Sequence, residues 1–296
     1  MSSPRAATAS GPSMNNGIVA LGAAGHEGFT ANKYVYLVRA LTVGLITFPS
    51  PVLAGAWTLK ESQAMVVVTG TISEAREAFN TKGDLRPIPR YSKGEAQALF
   101  EYGYTDFFTV IAAPSLQYVH IAAPVDARRD GLGYSEIGGR VRLWSNDSWV
   151  ASTQTILRLP GTSDRSNIAA IGYTDPEIDV RALLGHSFTI SALPAFFDLQ
   201  IGQRFRLGGQ PDEFRGDFTF GIRPLESWLL LAQSFNVISE GAGTLGYPAY
   251  SYHKLQLSIV YAVTPALSLQ IGGYTTFAGQ NGLQENGIVL GTWYKF

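Results

Sequence analysis

Gly287-Ile-Val-Leu-Gly-Thr-Trp-Tyr-Lys-Phe296 ends the chain and decides its fold class. One set of alternate positions holds Ile288, Leu290, Thr292, Tyr294 and Phe296, and the positions between them hold Val289, Gly291, Trp293 and Lys295. A period of two predicts a β-strand rather than a helix. A bare edge strand invites pairing with other chains, whereas a closed barrel pairs its last strand with its first. The final strand therefore favours a barrel.

Three residues of this strand carry a resemblance. The chain ends on Phe296, with Tyr294 two residues earlier and Gly291 five before the end. This ending resembles the C-terminal signal strand of bacterial outer-membrane β-barrels, which the barrel-assembly machinery reads. The resemblance implies that Gly291, Tyr294 and Phe296 form an assembly signal. The alternative is an ordinary last strand of a soluble β-sandwich.

The composition excludes several classes of protein. The 296 residues include 22 basic and 23 acidic side chains, so nucleic acid is not an expected partner. A mean hydropathy of +0.07 is too low for a bundle of transmembrane helices. The chain has no Cys, which excludes disulfides and thiolate metal sites. We expect no cofactor and no metal ion.

The N-terminal region has the pattern of a secretory signal. Lys33 and Arg39 precede the short apolar run 40–48, and small residues follow up to Ala54. A basic region, a short apolar region and a small-residue site predict a signal peptide over 33–54, cut between Ala54 and Gly55. Residues 1–32 show no periodicity and are predicted to be a disordered extension. The alternative is a signal anchor that stays attached.

The rest of the chain, 55–296, is predicted to be one barrel. About twelve strand-like segments follow Gln63, and in 254–263 the apolar Leu255, Leu257 and Ile259 alternate with polar residues. Short connections alternate with longer loops along the chain. We place the longer loops at 74–92, 122–136, 160–176, 208–216, 238–250 and 278–285. Outer-membrane barrels have short periplasmic turns and longer external loops. The predicted fold is an all-β, transmembrane, antiparallel up-and-down barrel of about twelve strands.

The polar face of these strands is predicted to line the lumen. Its charged residues are Glu95, Glu101, Arg140, Arg142, Arg158, Glu177, Asp179, Arg181, Asp198, Arg204, Arg206, Asp217, Arg223 and Lys254. In one interpretation they select solutes, as rings of charge do in pores. Arg140, Arg142, Arg204 and Arg206 would then form a basic stripe that favours anions. In the other interpretation, paired charges fill a narrow barrel and hold its shape.

Short motifs in the barrel region resemble barrels of the FadL-like and MetA-pathway phenol-degradation type. These motifs are Glu101-Tyr-Gly-Tyr-Thr-Asp-Phe-Phe-Thr-Val110, Tyr261-Ala-Val-Thr-Pro-Ala-Leu-Ser-Leu269 and Glu177-Ile-Asp-Val-Arg181. The resemblance implies passage of hydrophobic or aromatic compounds across the outer membrane. FadL proteins carry a long N-terminal hatch, whereas only about eight residues separate Gly55 from the first predicted strand. Segments 55–58 and 78–91 more loosely resemble small barrels encoded with exopolysaccharide machinery.

We therefore expect a passive, non-enzymatic channel or porin-like transporter for small solutes in the outer membrane of a Gram-negative bacterium. The alternatives are an outer-membrane component of exopolysaccharide export, and a closed structural or adhesive barrel. An enzyme is not expected, because Ser251 beside His253 lacks a nucleophile elbow. Expected partners are outer-membrane lipid, lipopolysaccharide bound by the basic segment 82–90, and the barrel-assembly machinery.

Overall fold

A computed structural model describes residues 55–170, 174–244 and 246–296. The predicted extension 1–32 and the predicted signal peptide 33–54 lie outside these residues. Across the three described ranges, no helix is long and apolar enough to cross a membrane.

Fourteen strand segments make up the described chain. They are β1 Ala64–Phe79, β2 Leu85–Thr105, β3 Phe108–Ala113, β4 Ser115–Ile121, β5 Ala127–Leu132, β6 Ser135–Ser145, β7 Trp149–Leu159, β8 Glu177–Ile190, β9 Leu193–Arg206, β10 Glu213–Leu225, β11 Trp228–Ser239, β12 Ser251–Ala262, β13 Leu267–Gln280 and β14 Asn286–Lys295. A short 3-10 helix spans Ile168–Ala170.

These segments form one closed antiparallel barrel. β1 pairs with β2 on one side and with β14 on the other, with Val68 opposite Thr292, so the sheet closes on itself. β3 and β4 share one position in the wall, since both pair with β2, and β5 and β6 share the next. The barrel therefore has twelve strand positions. This confirms the predicted fold, including the pairing of the last strand with the first.

Pro114 explains one of the two interruptions in the wall. It stands between β3 and β4, where a proline has no N–H to give to a ladder. Its carbonyl still accepts a hydrogen bond from Ala98 N at 3.1 Å, so β2 continues past the break. The second interruption lies beside the first, between β5 and β6. There Gly133 N donates to Ser115 O at 2.9 Å.

The two faces of the wall differ in chemistry. In β12, Leu257 on the outer face is 58% exposed, whereas Lys254 and Gln256 on the inner face are each 2% exposed. β14 follows the same rule, because Ile288 and Leu290 are exposed and Val289 and Trp293 are buried. An apolar exterior and a buried interior are typical of a membrane-spanning barrel.

The two ends of the barrel also differ. We call the end with the connections β2–β3, β6–β7, β8–β9, β10–β11 and β12–β13 the turn end, and the opposite end the loop end. Three of these connections have only two residues, and in the one between β8 and β9 Ser191 and Ala192 have φ of 48° and 71°. The ladder between β8 and β9 continues to Ile190 opposite Leu193.

Two predicted loops are largely strand. Segment 74–92 was expected to be a loop, but β1 and β2 pair up to Phe79 opposite Leu85. The hairpin turns at 80–84, where Gly83 has a φ of 84°. Segment 122–136 contains β5, which pairs with β4. We attribute the error to strands that rise above the apolar band, where lipid no longer imposes alternation on the sequence.

Candidate functional site: the barrel lumen

The residues before β1 lie inside the barrel. We call residues 55–63 the N-terminal segment. The part of it nearer to β1 lies beside β2 and β3 at the turn end, where Thr58 Oγ1 donates to Asp106 O at 2.8 Å. Leu59 N donates to Thr109 Oγ1 at 3.0 Å, and the Leu59 side chain packs among inward-facing apolar residues. The segment therefore enters the lumen rather than lying along the rim.

The other end of the N-terminal segment reaches the opposite wall. Arg140 Nη1 donates to Trp57 O at 2.9 Å, and Ala56 N donates to Asp198 Oδ2 at 2.6 Å. Gly185 makes room for this crossing, because a Cβ there would lie 2.6 Å from the Trp57 ring. The segment thus spans from β2 and β3 to β8 and β9.

Apolar side chains surround this crossing. The turn-end apolar cluster contains Met65, Val67, Leu99, Ile111, Ala113, Ile156, Leu229, Leu231, Val260 and Trp293, with Leu59 and Phe196 packed against it. These residues face inward, although the sequence pattern indicated a mainly polar inner face. In 228–232 the apolar residues are continuous, so the sequence did not show which of them face the lumen.

Above this cluster lies a network of five arginines and five carboxylates, which we call the arginine–carboxylate network. Its members are Arg158, Arg181, Arg204, Arg206, Arg215, Glu136, Glu177, Asp179, Glu213 and Asp217. Arg206 contacts Glu177 at 2.8 Å and Glu213 at 3.4 Å. Arg204 contacts Asp179 at 2.9 Å. The equal numbers of acids and bases leave the network without excess formal charge.

The remaining predicted lumen residues fall into pairs or stand apart. Arg140 pairs with Glu101 at 2.8 Å, and Glu95 pairs with Lys93 at 2.8 Å. Lys254 pairs with Glu285. Arg142 is half-buried and Arg223 is exposed, and within the described ranges neither enters an ion pair. Arg140, Arg204 and Arg206 thus reach carboxylates instead of forming a free basic stripe.

Sequence reasoning missed several buried charges. Glu213 and Arg215 were assigned to the loop 208–216, and Glu285 to the loop 278–285, but all three are buried. A signal for two of them was present, because Glu213, Arg215 and Asp217 continue one alternation into β10. The break at Gly208-Gly-Gln-Pro211 obscures the start of this strand in the sequence.

The outer face carries the histidine considered for catalysis. His253 Nδ1 lies 2.8 Å from Asn236 Oδ1, which can hold the imidazole in one orientation. Ser251 lies two residues away on the same face of β12. Among the described residues no hydrogen bond joins Ser251 to His253, so the structure does not complete a nucleophile and base pair.

Two of the three predicted assembly residues lie at the turn end, and Gly291 lies in the middle of β14. Tyr294 and Phe296 are exposed, with ring centroids 4.7 Å apart, and Phe296 N donates to Ala64 O at 2.9 Å. Gly291 faces inward beside Gln270. Of the predicted cleavage pair, Ala54 lies outside the described residues and Gly55 lies in the lumen against Asp198.

A closed twelve-position barrel with an apolar exterior, an ion-paired interior and short turns at one end defines a membrane-spanning β-barrel. Comparison with solved structures identifies proteins of this shape. The COG4313 outer membrane channel from Pseudomonas putida F1 is 15% identical, with a TM-score of 0.69 over 85% of this chain and 100% of that chain. The NanC porin is 9% identical, with a TM-score of 0.49 over 78% of this chain and 100% of that chain.

The TM-score of 0.69 to the Pseudomonas putida channel establishes a shared fold. No family model matches the chain. No curated protein matches it either. The resemblance to FadL-like and MetA-pathway barrels therefore stays a prediction.

Proposed function

We propose that this chain is a passive, non-enzymatic barrel of a Gram-negative outer membrane that transports small hydrophobic or aromatic solutes. The observation that carries the proposal is the filled lumen. The N-terminal segment crosses it near the turn end, and the arginine–carboxylate network occupies it above. The solved channel with the same fold supports a transport role.

A cavity beside the N-terminal segment supports an aromatic or apolar solute. It has a volume of about 310 Å³ and lies between Trp57, Phe188, Phe196 and Pro194, with Asp198, Thr219 and Arg223 among its polar neighbours. This volume is at the lower end of the range for small-molecule sites, which combine an apolar lining with a few polar groups. The cavity fits a single small ring better than an extended chain.

The filled lumen argues against polysaccharide export. An extended, hydrated polymer needs a continuous polar path, and the turn-end apolar cluster together with Trp57 interrupts such a path. A purely structural or adhesive barrel is the remaining alternative, and it would bind no solute in the cavity.

Conductance in planar bilayers tests the occlusion. The full chain is exported in a Gram-negative host, extracted from the membrane and checked for folding by heat-modifiable gel mobility. We expect low conductance for the unmodified protein and a several-fold increase for Trp57→Ala. Trp228→Ala is the matched control, because Trp228 lies on the outer face beside Tyr261. A large ohmic current that Trp57→Ala leaves unchanged would contradict an occluding segment.

Solute binding tests the substrate class. Calorimetry with p-cresol should show saturable binding to the unmodified protein and to Trp228→Ala, and weaker binding to Trp57→Ala. An oligogalacturonide added to the same samples should give no heat. Binding of the oligosaccharide without p-cresol binding would favour the polysaccharide alternative, and binding of neither would favour the structural one.

A further inference from the structure

Asp198 is a buried carboxylate at the inner end of the N-terminal segment. Its side chain accepts hydrogen bonds from Ala56 N at 2.6 Å and from Gln200 Nε2 at 2.8 Å. The residue is 1% exposed. Unlike the acids of the arginine–carboxylate network, it has no Lys, Arg or His nitrogen within 4.0 Å among the described residues. Arg140 acts on it only from a greater distance, because its guanidinium group is bonded to Glu101 and to Trp57 O. A buried carboxylate without a cation is costly, so a compensating positive charge is expected nearby.

Gly55 is placed to supply that charge. A Cβ added to Gly55 would lie 2.8 Å from Asp198 Oδ2, so its backbone is in contact with the carboxylate. Only glycine allows this approach without displacing Asp198. The 310 Å³ cavity borders both residues.

We propose that Asp198 is the docking site for the mature N-terminus, whose α-ammonium group arises when the peptide bond between Ala54 and Gly55 is cut. In that step a signal peptidase hydrolyses the bond with one water molecule, which leaves a carboxylate on Ala54 and an ammonium group on Gly55. The ammonium group pairs with Asp198 and fixes the end of the N-terminal segment across the lumen. Cleavage thus creates a direct ion-pair partner for Asp198.

The proposal goes beyond transport, although Asp198 also borders the cavity proposed for the solute. An uncleaved chain would present a neutral amide to Asp198. Cleavage one residue earlier or later would move the ammonium group by up to about 3.5 Å, which is too far for the same ion pair. The docking site therefore selects one cleavage position.

The first experiment measures the N-terminus of the folded protein. The full chain is exported in a Gram-negative host, and the heat-modifiable form is extracted and weighed by intact mass spectrometry. The expected mass is that of residues 55–296. Any other N-terminus in the folded protein would overturn the proposal, and this measurement needs no variant.

The second experiment measures whether the α-amine is protected. An acylating reagent near neutral pH favours the α-amine, because its usual pKa is about 8 against about 10.4 for lysine. We expect the Gly55 amine to react at least about tenfold more slowly in the folded protein than after unfolding. Equal rates in the two states would refute the ion pair.

Matched variants assign the protection to Asp198. Asp198→Asn should restore labelling of Gly55 toward the unfolded rate, whereas Asp147→Asn, in the exposed turn between β6 and β7, should leave it protected. Gly55→Val should be cleaved yet labelled rapidly, because its side chain meets the Asp198 carboxylate. Protection that persists in folded Asp198→Asn would show that burial alone shields the amine and would overturn the proposal.

Discussion

Replacing Glu177 by Gln should lower the free energy of unfolding, because it removes one carboxylate from the arginine–carboxylate network. Glu177 is 2% exposed and contacts Arg158, Arg206 at 2.8 Å and Arg204 at 3.7 Å. At an effective dielectric constant near 20, one contact at about 3 Å is worth about 5 kcal/mol before desolvation. Because desolvation offsets much of this attraction, we expect a net cost of about 3–5 kcal/mol when one partner of the buried set is removed.

A charge-balanced double variant separates charge from packing. Arg158→Gln alone should also destabilise the barrel, since Glu177 then loses a partner. The double variant, Arg158→Gln with Glu177→Gln, restores equal numbers of acids and bases. It should cost less than the sum of the two single variants, by about 2 kcal/mol or more, because residues in one network couple strongly.

Urea unfolding in phosphatidylcholine vesicles provides the measurement, with tryptophan fluorescence and heat-modifiable mobility as separate readouts. Glu226→Gln is the matched control, because Glu226 is exposed in the turn between β10 and β11 and should change stability by less than about 0.5 kcal/mol. The reasoning fails if Glu177→Gln costs no more than this control. It also fails if the two single costs simply add in the double variant.

Two further variants test the outer face and the last strand. Leu257→Arg should destabilise membrane insertion by about 2–4 kcal/mol, because Leu257 is 58% exposed on the outer face in the middle of β12. A vesicle-folding assay measures this effect. In the same assay the control variant Leu257→Phe should insert normally. Phe296→Ser should lower the amount of folded barrel in cells several-fold. Unassisted refolding into detergent should be nearly unchanged, because the backbone hydrogen bond from residue 296 to Ala64 remains. An equal loss in both settings would indicate a structural role for the ring instead of an assembly signal.

The barrel could be predicted because lipid and lumen impose opposite chemistry on neighbouring residues. In β12, the apolar Leu255, Leu257 and Ile259 alternate with polar neighbours, and that pattern gave both the strand and its orientation. The pattern weakens above the membrane. In the hairpin of β1 and β2, Arg86, Pro87 and Pro89 indicated a loop, although the strands continue there as a ribbon in which Ala78 and Phe79 are buried.

The contents of the lumen could be predicted only in part. Alternation identified charged residues such as Arg204 and Asp179, but not which of them meet, because that depends on the register between β8 and β9. The N-terminal segment has no period at all. Its place is set by single contacts with distant strands, such as Trp57 against Gly185, and neither residue indicates the other in the sequence.

The place of the N-terminal segment next to β1 has a consequence for the order of folding. β1 and β14 form the seam, which joins the first and last strands of the chain and closes the ring. While that seam is open, residues 55–63 can swing in sideways with β1, so no stretch of chain has to be threaded through a finished cylinder. Closing the seam then traps them, and from that moment they can leave only through an end of the barrel.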